Sequence, residues 1–205
     1  MIRYFLAAFF CITFSKPHAQ TLGGNAGYNF LNLPSGTNLT AAGGVNVSHA
    51  FPDISVALSN PALLTEKVNG QAGLNFLRGI AGVNGYTLAG GYFNKDWNTT
   101  FGAQVSYFDY GQIDQSDAAG NRIGRFHATD YVVQVSAGKR YLQKWQYGGS
   151  LKFIQSHYPP FSSTAIALDI GLHYTDSLHG FNVGLLAKNM GAAIKSYAGT
   201  GDELP

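Results

Sequence analysis

Between positions 99 and 156 the chain writes one pattern three times, and this repetition limits the available folds more than any other feature. In the first run Phe101, Ala103, Val105 and Tyr107 share one side, with Gly102, Gln104 and Ser106 on the other. The second run sets Tyr131, Val133, Val135 and Ala137 against Val132, Gln134, Ser136 and Gly138. The third sets Tyr147, Gly149, Leu151 and Phe153 against Gly148, Ser150 and Lys152. A period of two marks β-strands with two chemically different faces. The link at 141–146 is short while the link at 110–129 is long and polar, so short and long connections fall at opposite ends.

Alternation alone leaves two architectures open: a soluble β-sandwich with its apolar face inward, and a membrane barrel with its apolar face toward lipid. Trp97, Phe101, Tyr141, Trp145 and Tyr147 gather at the short-turn end, and Tyr107, Phe108, Tyr110, Tyr131 and Phe153 at the long-loop end. Rings at two levels match the interfacial girdles of a barrel, although cross-strand aromatic pairs in an ordinary sheet need no lipid. Charge separates the two further. Charged residues make up 12% of the chain, against roughly 25% in ordinary soluble domains. The net charge of +2 has no cluster of Lys or Arg behind it, so the electrostatic footprint of a nucleic-acid binder is missing.

Read from its start, the segment 1–19 has one early cation at Arg3, an apolar core at 4–14 and a break at Pro17 before Ala19. It reads as a cleaved signal peptide. Cys11, the only cysteine, lies inside that core, so the exported chain is expected to carry no thiol. A second unit, 20–69, precedes the strands. It is rich in Gly and Asn through 39 and reads there as irregular chain; 41–47 is a candidate short strand, and Asp53 a candidate N-cap for a helical turn at 54–58. Asn60 and Pro61 follow as a turn motif.

From 70 to 205 the chain reads as a train of strands, at 71–78, 85–93, 99–110, 130–140, 146–155, 164–174 and 180–189. Seven strands do not close a single-chain bacterial barrel of the usual even count. Either 41–47 is an eighth strand or these are the first strands of a longer barrel; the loop-like composition of 190–205 favours the second. Lys152, Asp169 and Lys188 each sit opposite apolar neighbours in their strands. A lysine facing lipid at mid-depth costs about 2 to 4 kcal/mol, which selects an interior position for these charges.

Enzymatic signatures are missing. There is no Gly-x-Ser-x-Gly elbow, no His-Glu-x-x-His and no phosphate-binding Gly-Lys loop. His49, His127, His157, His173 and His179 have no ligand spacing. Asp114, Asp117 and Asn121 around Gly120 loosely match oxygen ligands for calcium, but Asp and Asn beside Gly more often make turns. No catalytic residue, metal site or cofactor is therefore expected. The long 111–129 connection exceeds the roughly 2 to 5 residues that antiparallel strands need, which points to a lid or partner surface. Asp114, Asp117, Asn121, Arg122 and Phe126 are its candidate partner-binding residues.

Several segments carry a resemblance. Leu22-Gly23-Gly24 with Tyr28-Asn29-Phe30-Leu31-Asn32-Leu33-Pro34, Ala57-Leu58-Ser59-Asn60-Pro61-Ala62-Leu63-Leu64, and Phe108-Asp109-Tyr110-Gly111 through Gly120-Asn121, Gly124, Phe126 and Asp130-Tyr131 are the principal pieces. Leu151-Lys152-Phe153-Ile154 adds another. Together they resemble the PorQ family of the type IX secretion system, within the wider group of FadL-like outer-membrane barrels; the Asn60-Pro61-Ala62 core alone resembles that wider group. The resemblance implies an all-β transmembrane antiparallel barrel of roughly 14 strands, an even count within the bacterial range, with a hatch-like N-terminal segment. It further implies a non-enzymatic role in the surface attachment complex that processes cargo and joins it to lipopolysaccharide. PorZ-like, PorV-like and PorU-like proteins and outer-membrane lipid are the implied partners. FadL-like relatives instead pass hydrophobic molecules through the barrel.

Overall fold

The structure is a computed structural model that describes residues 27–79 and 82–197. The proposed leader with Cys11, the Leu22-Gly23-Gly24 piece and the end of the chain from 198 lie outside the described residues. The fold is all-β, with few helices. Seven strands, β1 (Ala72–Arg78), β2 (Asn84–Asn94), β3 (Thr99–Ser116), β4 (Arg122–Tyr141), β5 (Trp145–Tyr158), β6 (Phe161–Asp176) and β7 (Phe181–Lys195), form one sheet. Each pairs antiparallel with the next in the chain, in the order β1 to β7. All seven strand runs expected from the alternation are present.

The two faces of the sheet differ as the alternation requires, and their polarity is the reverse of a soluble sandwich. Leu74, Leu88, Val105, Val133, Phe153 and Ile166 stand opposite one another on consecutive strands. This apolar row is 42% to 79% exposed. The next rows on the other face are Ala89, Gln104, Gln134, Lys152 and Ala167, then Gly91, Gly102, Ser136, Ser150 and Asp169. Their polar members are buried. Polar side chains lie beneath a cover while large apolar ones stand open.

The cover is the segment 27–69, which packs on the polar face. It contains two short helices, α1 (Thr37–Ala41) and α2 (Ile54–Ala57), and 3-10 turns at Asn29–Asn32, Pro61–Leu63 and Glu66–Val68. Asp53 caps α2 by accepting from the Ser55 N–H at 2.8 Å, as its position in the sequence predicts. Ile54, Ala57, Leu58, Leu64 and Val68 form one apolar cluster with Ala89 of β2. Tyr28, Phe30 and Leu31 form another with Phe108, Val132, Ile154, Ala165 and Ala167.

Several expectations need correction. The candidate strand at 41–47 is absent: α1 ends at Ala41, and Gly43 and Gly44 follow at φ of 87° and 83°, a left-handed path that breaks any strand. The stretch through 39 is not wholly irregular, because it holds the Asn29–Asn32 turn and most of α1. The supposed loop from 190 onward begins later, since β7 runs to Lys195. Finally, Phe108 and Tyr110 do not belong to an outward girdle: Phe108 is buried on the covered face, 5.6 Å from Phe30 between ring centroids. The outward row at that end is Phe76, Tyr86, Tyr107 and Tyr131, with successive centroids 5.1, 6.1 and 4.8 Å apart. At the other end Trp97 meets Phe101 and Trp145 meets Tyr174, at 6.0 and 4.8 Å.

Candidate functional site

Two regions carry chemistry: the polar interface between the sheet and its cover, and an arm that rises from one end of the sheet. At the interface Lys152 of β5 and Asp169 of β6 approach to 2.6 Å, with side chains 5% and 1% exposed. The Lys152 ammonium also donates to Asn189 Oδ1 at 2.8 Å, and the Asn189 N–H donates to Asp169 Oδ1 at 2.7 Å. Asn189 sits at φ 56° beside a register shift between β6 and β7, which turns its side chain to the covered face. Lys188 reaches the Leu31 carbonyl of the cover at 3.3 Å. The three charges predicted to face the interior thus meet the covered side, and two of them neutralise each other. A buried pair is tolerable where hydrogen bonds serve its remaining lone pairs; here the Asn189 N–H serves Asp169 Oδ1, while Oδ2 meets only the Lys152 ammonium.

The cover is held by its backbone. Gln134 Nε2 donates to the Leu58 carbonyl at 2.9 Å, and His173 Nε2 lies 2.7 Å from the Ser48 carbonyl. Asn60 is wholly buried; its Oδ1 accepts from the Ala62 N–H at 3.0 Å and its Nδ2 donates to the Val47 carbonyl at 2.8 Å. It is the N-cap of the 3-10 turn that Pro61 begins, and this turn packs on β4, β5 and β6. Asn60 and Pro61 therefore tie two stretches of the cover together over the centre of the sheet. A cavity of ≈ 50 Å³ remains between cover and sheet, lined in part by Gln104, Gln134, Lys152 and Lys188.

The second region corrects the expected 111–129 loop, because most of it is strand. Pairing of β2 with β3 stops at Asn84 and Asp109, and pairing of β4 with β5 stops at Thr129 and His157. Beyond these levels β3 and β4 continue alone, pairing to Ser116 and Arg122. The result is a two-stranded arm that stands clear of its neighbours by roughly 20 Å, at about 3.4 Å per residue. Gly111, at φ 68°, sits in the register shift where the arm leaves the sheet. A bulge there bends and re-aims the strand.

The candidate partner residues lie together on this arm. Asp114 is 2.8 Å from Arg122 and 3.1 Å from Arg125, all three well exposed. Phe126 stands opposite Ile113, half-buried. Asp117 closes the tip by accepting from the N–H groups of Ala119 at 2.9 Å and Asn121 at 2.8 Å. The Asn121 side-chain amide, with that N–H, holds the Asp117 carboxyl below the ordinary carboxylate value. Asp117 and Asn121 are thus occupied in forming the turn, which favours the turn reading of this acidic stretch over a calcium site. Asp109 meets His127 at 2.7 Å near the arm's base.

Sequence reasoning misses the root of the arm. Asp130 is wholly buried and accepts from Tyr110 at 2.6 Å, from Tyr158 at 3.4 Å and from the Ser156 hydroxyl. Its signal is a carboxylate in strand parity with Val132 and Gln134, facing the same covered side. At the opposite end Lys144 donates to Asp176 at 2.7 Å, linking two short turns. Lys144 and then His179 hold the Asp176 carboxyl below its ordinary value. Among the described residues no three or more His, Cys, Asp or Glu side chains converge as a metal site would. No protein-family model and no curated protein matches this chain.

Proposed function

We propose that this chain forms part of an outer-membrane β-barrel that acts as a non-enzymatic anchor for cell-surface partners, as a PorQ-like component of a type IX secretion system. The observation that carries the membrane part is the inverted polarity of the sheet. Its open face is a continuous apolar surface bounded by aromatic rows, while its polar face is buried under the chain's own N-terminal segment. On β4 the outward Tyr131 and Tyr141 bracket Val133, Val135 and Ala137, with Lys139 on the same face beside the Tyr141 end. The two tyrosines stand ten positions apart, close to the about 9 to 11 residues of a spanning strand. Lipid is the solvent that suits such a surface. The edges of β1 and β7 are completed in this reading by further strands, since an open edge does not survive in hydrocarbon.

The anchoring part rests on the resemblance and on the arm. An arm built from two strands, cross-linked by Asp114 with Arg122 and Arg125 and closed by Asp117, presents a preformed shape. Such a shape loses little entropy on capture. PorZ-like, PorV-like or PorU-like proteins are its proposed partners.

Two experiments test this. Fractionation of cells producing the full-length protein is expected to place it in outer membranes and to require detergent for release. Recovery as a soluble periplasmic monomer returns the chain to the sandwich class. Replacing 114–124 by an Asn-Gly turn is expected to leave a folded, heat-modifiable protein in the membrane while co-purification of attachment partners falls at least about tenfold, the equivalent of 1.4 kcal/mol. Unchanged co-purification moves the partner surface elsewhere.

A further inference from the structure

At the short-turn end the open face of the sheet is not smooth. Trp145 of β5, Leu172 and Tyr174 of β6, and Val183 and Leu185 of β7 line a groove of ≈ 300 Å³ whose walls are almost wholly apolar. The register builds it in two levels. Trp145, Tyr174 and Val183 stand opposite one another on consecutive strands, and Tyr147, Leu172 and Leu185 form the adjoining outward row. The second row lies deeper along the strands by roughly 7 Å, at about 3.4 Å per residue. The rings of Trp145 and Tyr174 meet edge to face with centroids 4.8 Å apart, which walls the groove at the turn end.

Cations stand at that end. Lys144, in the turn before Trp145, donates to Asp176 Oδ2 at 2.7 Å. Asp176 foremost, with Tyr174 adding to it, holds that ammonium above its ordinary value. Asp176 also accepts from the Leu178 N–H at 3.2 Å, and its side chain is 12% exposed against 44% for Lys144. The carboxylate is therefore turned in, and the charge offered to the surroundings is the ammonium, which has three donors to share. Lys139 of β4, exposed and outward, stands in the row of Tyr147 and Leu172. Its long stem lets the charge lean toward the same level.

We infer that this groove holds one phospholipid, an acyl chain lying along Leu172, Val183 and Leu185 and the phosphate meeting the Lys144 and Lys139 ammoniums beside Trp145 and Tyr174. The apolar walls do not suit a soluble anion, and the two cations have no use for plain hydrocarbon; a chain tethered to a phosphate satisfies both. The volume matches the lower bound of about 300 to 1,000 Å³ for small-molecule sites. The inference rests on the outer-membrane reading, because a bilayer is what lays lipid along the strands in this direction. On that reading the lipid belongs to the periplasmic leaflet, at the end opposite the arm.

Native mass spectrometry of the full-length protein, extracted from outer membranes in mild detergent, tests this. One phospholipid per chain is expected to survive washing that strips the rest. Lys139→Gln with Lys144→Gln should lower its retention at least about tenfold, the usual consequence of losing charge-assisted contacts. Because Lys144 also links two turns, Val183→Phe is the second variant: it fills the groove, keeps both cations and leaves the surface apolar. It too should expel the lipid while heat-modifiable migration stays unchanged. A membrane-located protein that carries no lipid, or that keeps its lipid in both variants, overturns the inference and leaves the barrel reading standing. A retained fatty acid in place of a phospholipid overturns the choice of occupant. Fractionation as a soluble periplasmic protein defeats the barrel reading and the inference with it.

Discussion

Gly148→Val is expected to prevent accumulation of the folded protein, whereas Gly149→Val one position away is expected to leave it intact. The two residues face opposite sides of β5. A Cβ at 148 would lie 2.5 Å from the Pro61 carbonyl carbon and 2.8 Å from the Ala137 oxygen, while at 149 the nearest atom is the Asp169 oxygen at 3.7 Å. Overpacking typically costs about 1 to 3 kcal/mol where side chains can adjust. Here both obstacles are backbone, so the cost at 148 should lie at the top of that range or beyond it. Heat-modifiable migration of the two variants checks this. Equal yields would mean that the cover does not rest on the sheet at this point.

Lys152→Met should destabilise the protein by about 3 to 5 kcal/mol, the usual consequence of leaving one member of a buried ion pair without the other. Asp169 would then lose its 2.6 Å partner, keeping the Asn189 N–H and leaving Lys188 as the remaining cation on the covered side. Adding Asp169→Asn to Lys152→Met should recover most of the loss, because a neutral pair in the same space lacks the uncompensated charge. Urea unfolding in detergent micelles measures both variants. If the single substitution is as stable as the wild type, the ion pair is solvated rather than buried. If the double substitution recovers nothing, the packing of the lysine stem matters more than its charge.

Much of this architecture can be read from residue order. The period of two locates every strand, and by parity alone it puts Lys152 and Asp169 on the covered face. Other features lie outside what the period encodes. Height along the strand groups Phe108 and Tyr110 with Tyr107, yet as even-numbered members of β3 they share parity with Gln104 and Ser106 and so face the cover. The arm is hidden because Gly111 shifts the register, and the polar residues beyond it look like a loop when the pairing partner is unknown. Asp130 does not stand out as a buried group, since nothing local announces that Tyr110, Ser156 and Tyr158 converge on it. The glycines are the least legible. A glycine within a strand ordinarily signals weakness or a bulge, and the reason for six of them on successive strands, Gly91, Gly102, Gly138, Gly148, Gly171 and Gly184, exists only in contacts with a segment up to about 140 residues earlier.

The apolar surface of the sheet has a further consequence for how such a protein reaches its destination. In the extended chain each large apolar side chain is followed by a small or polar one, as in 101–107 and 131–137, so these stretches never gather the roughly 20 consecutive apolar residues that hold a helix in a bilayer. The greasy surface does not exist until neighbouring strands pair and sort alternate side chains to opposite sides. On the outer-membrane reading, the polypeptide can cross the inner membrane without lodging there and travel onward as a hydrophilic thread. On the same reading, its affinity for lipid is acquired only by folding.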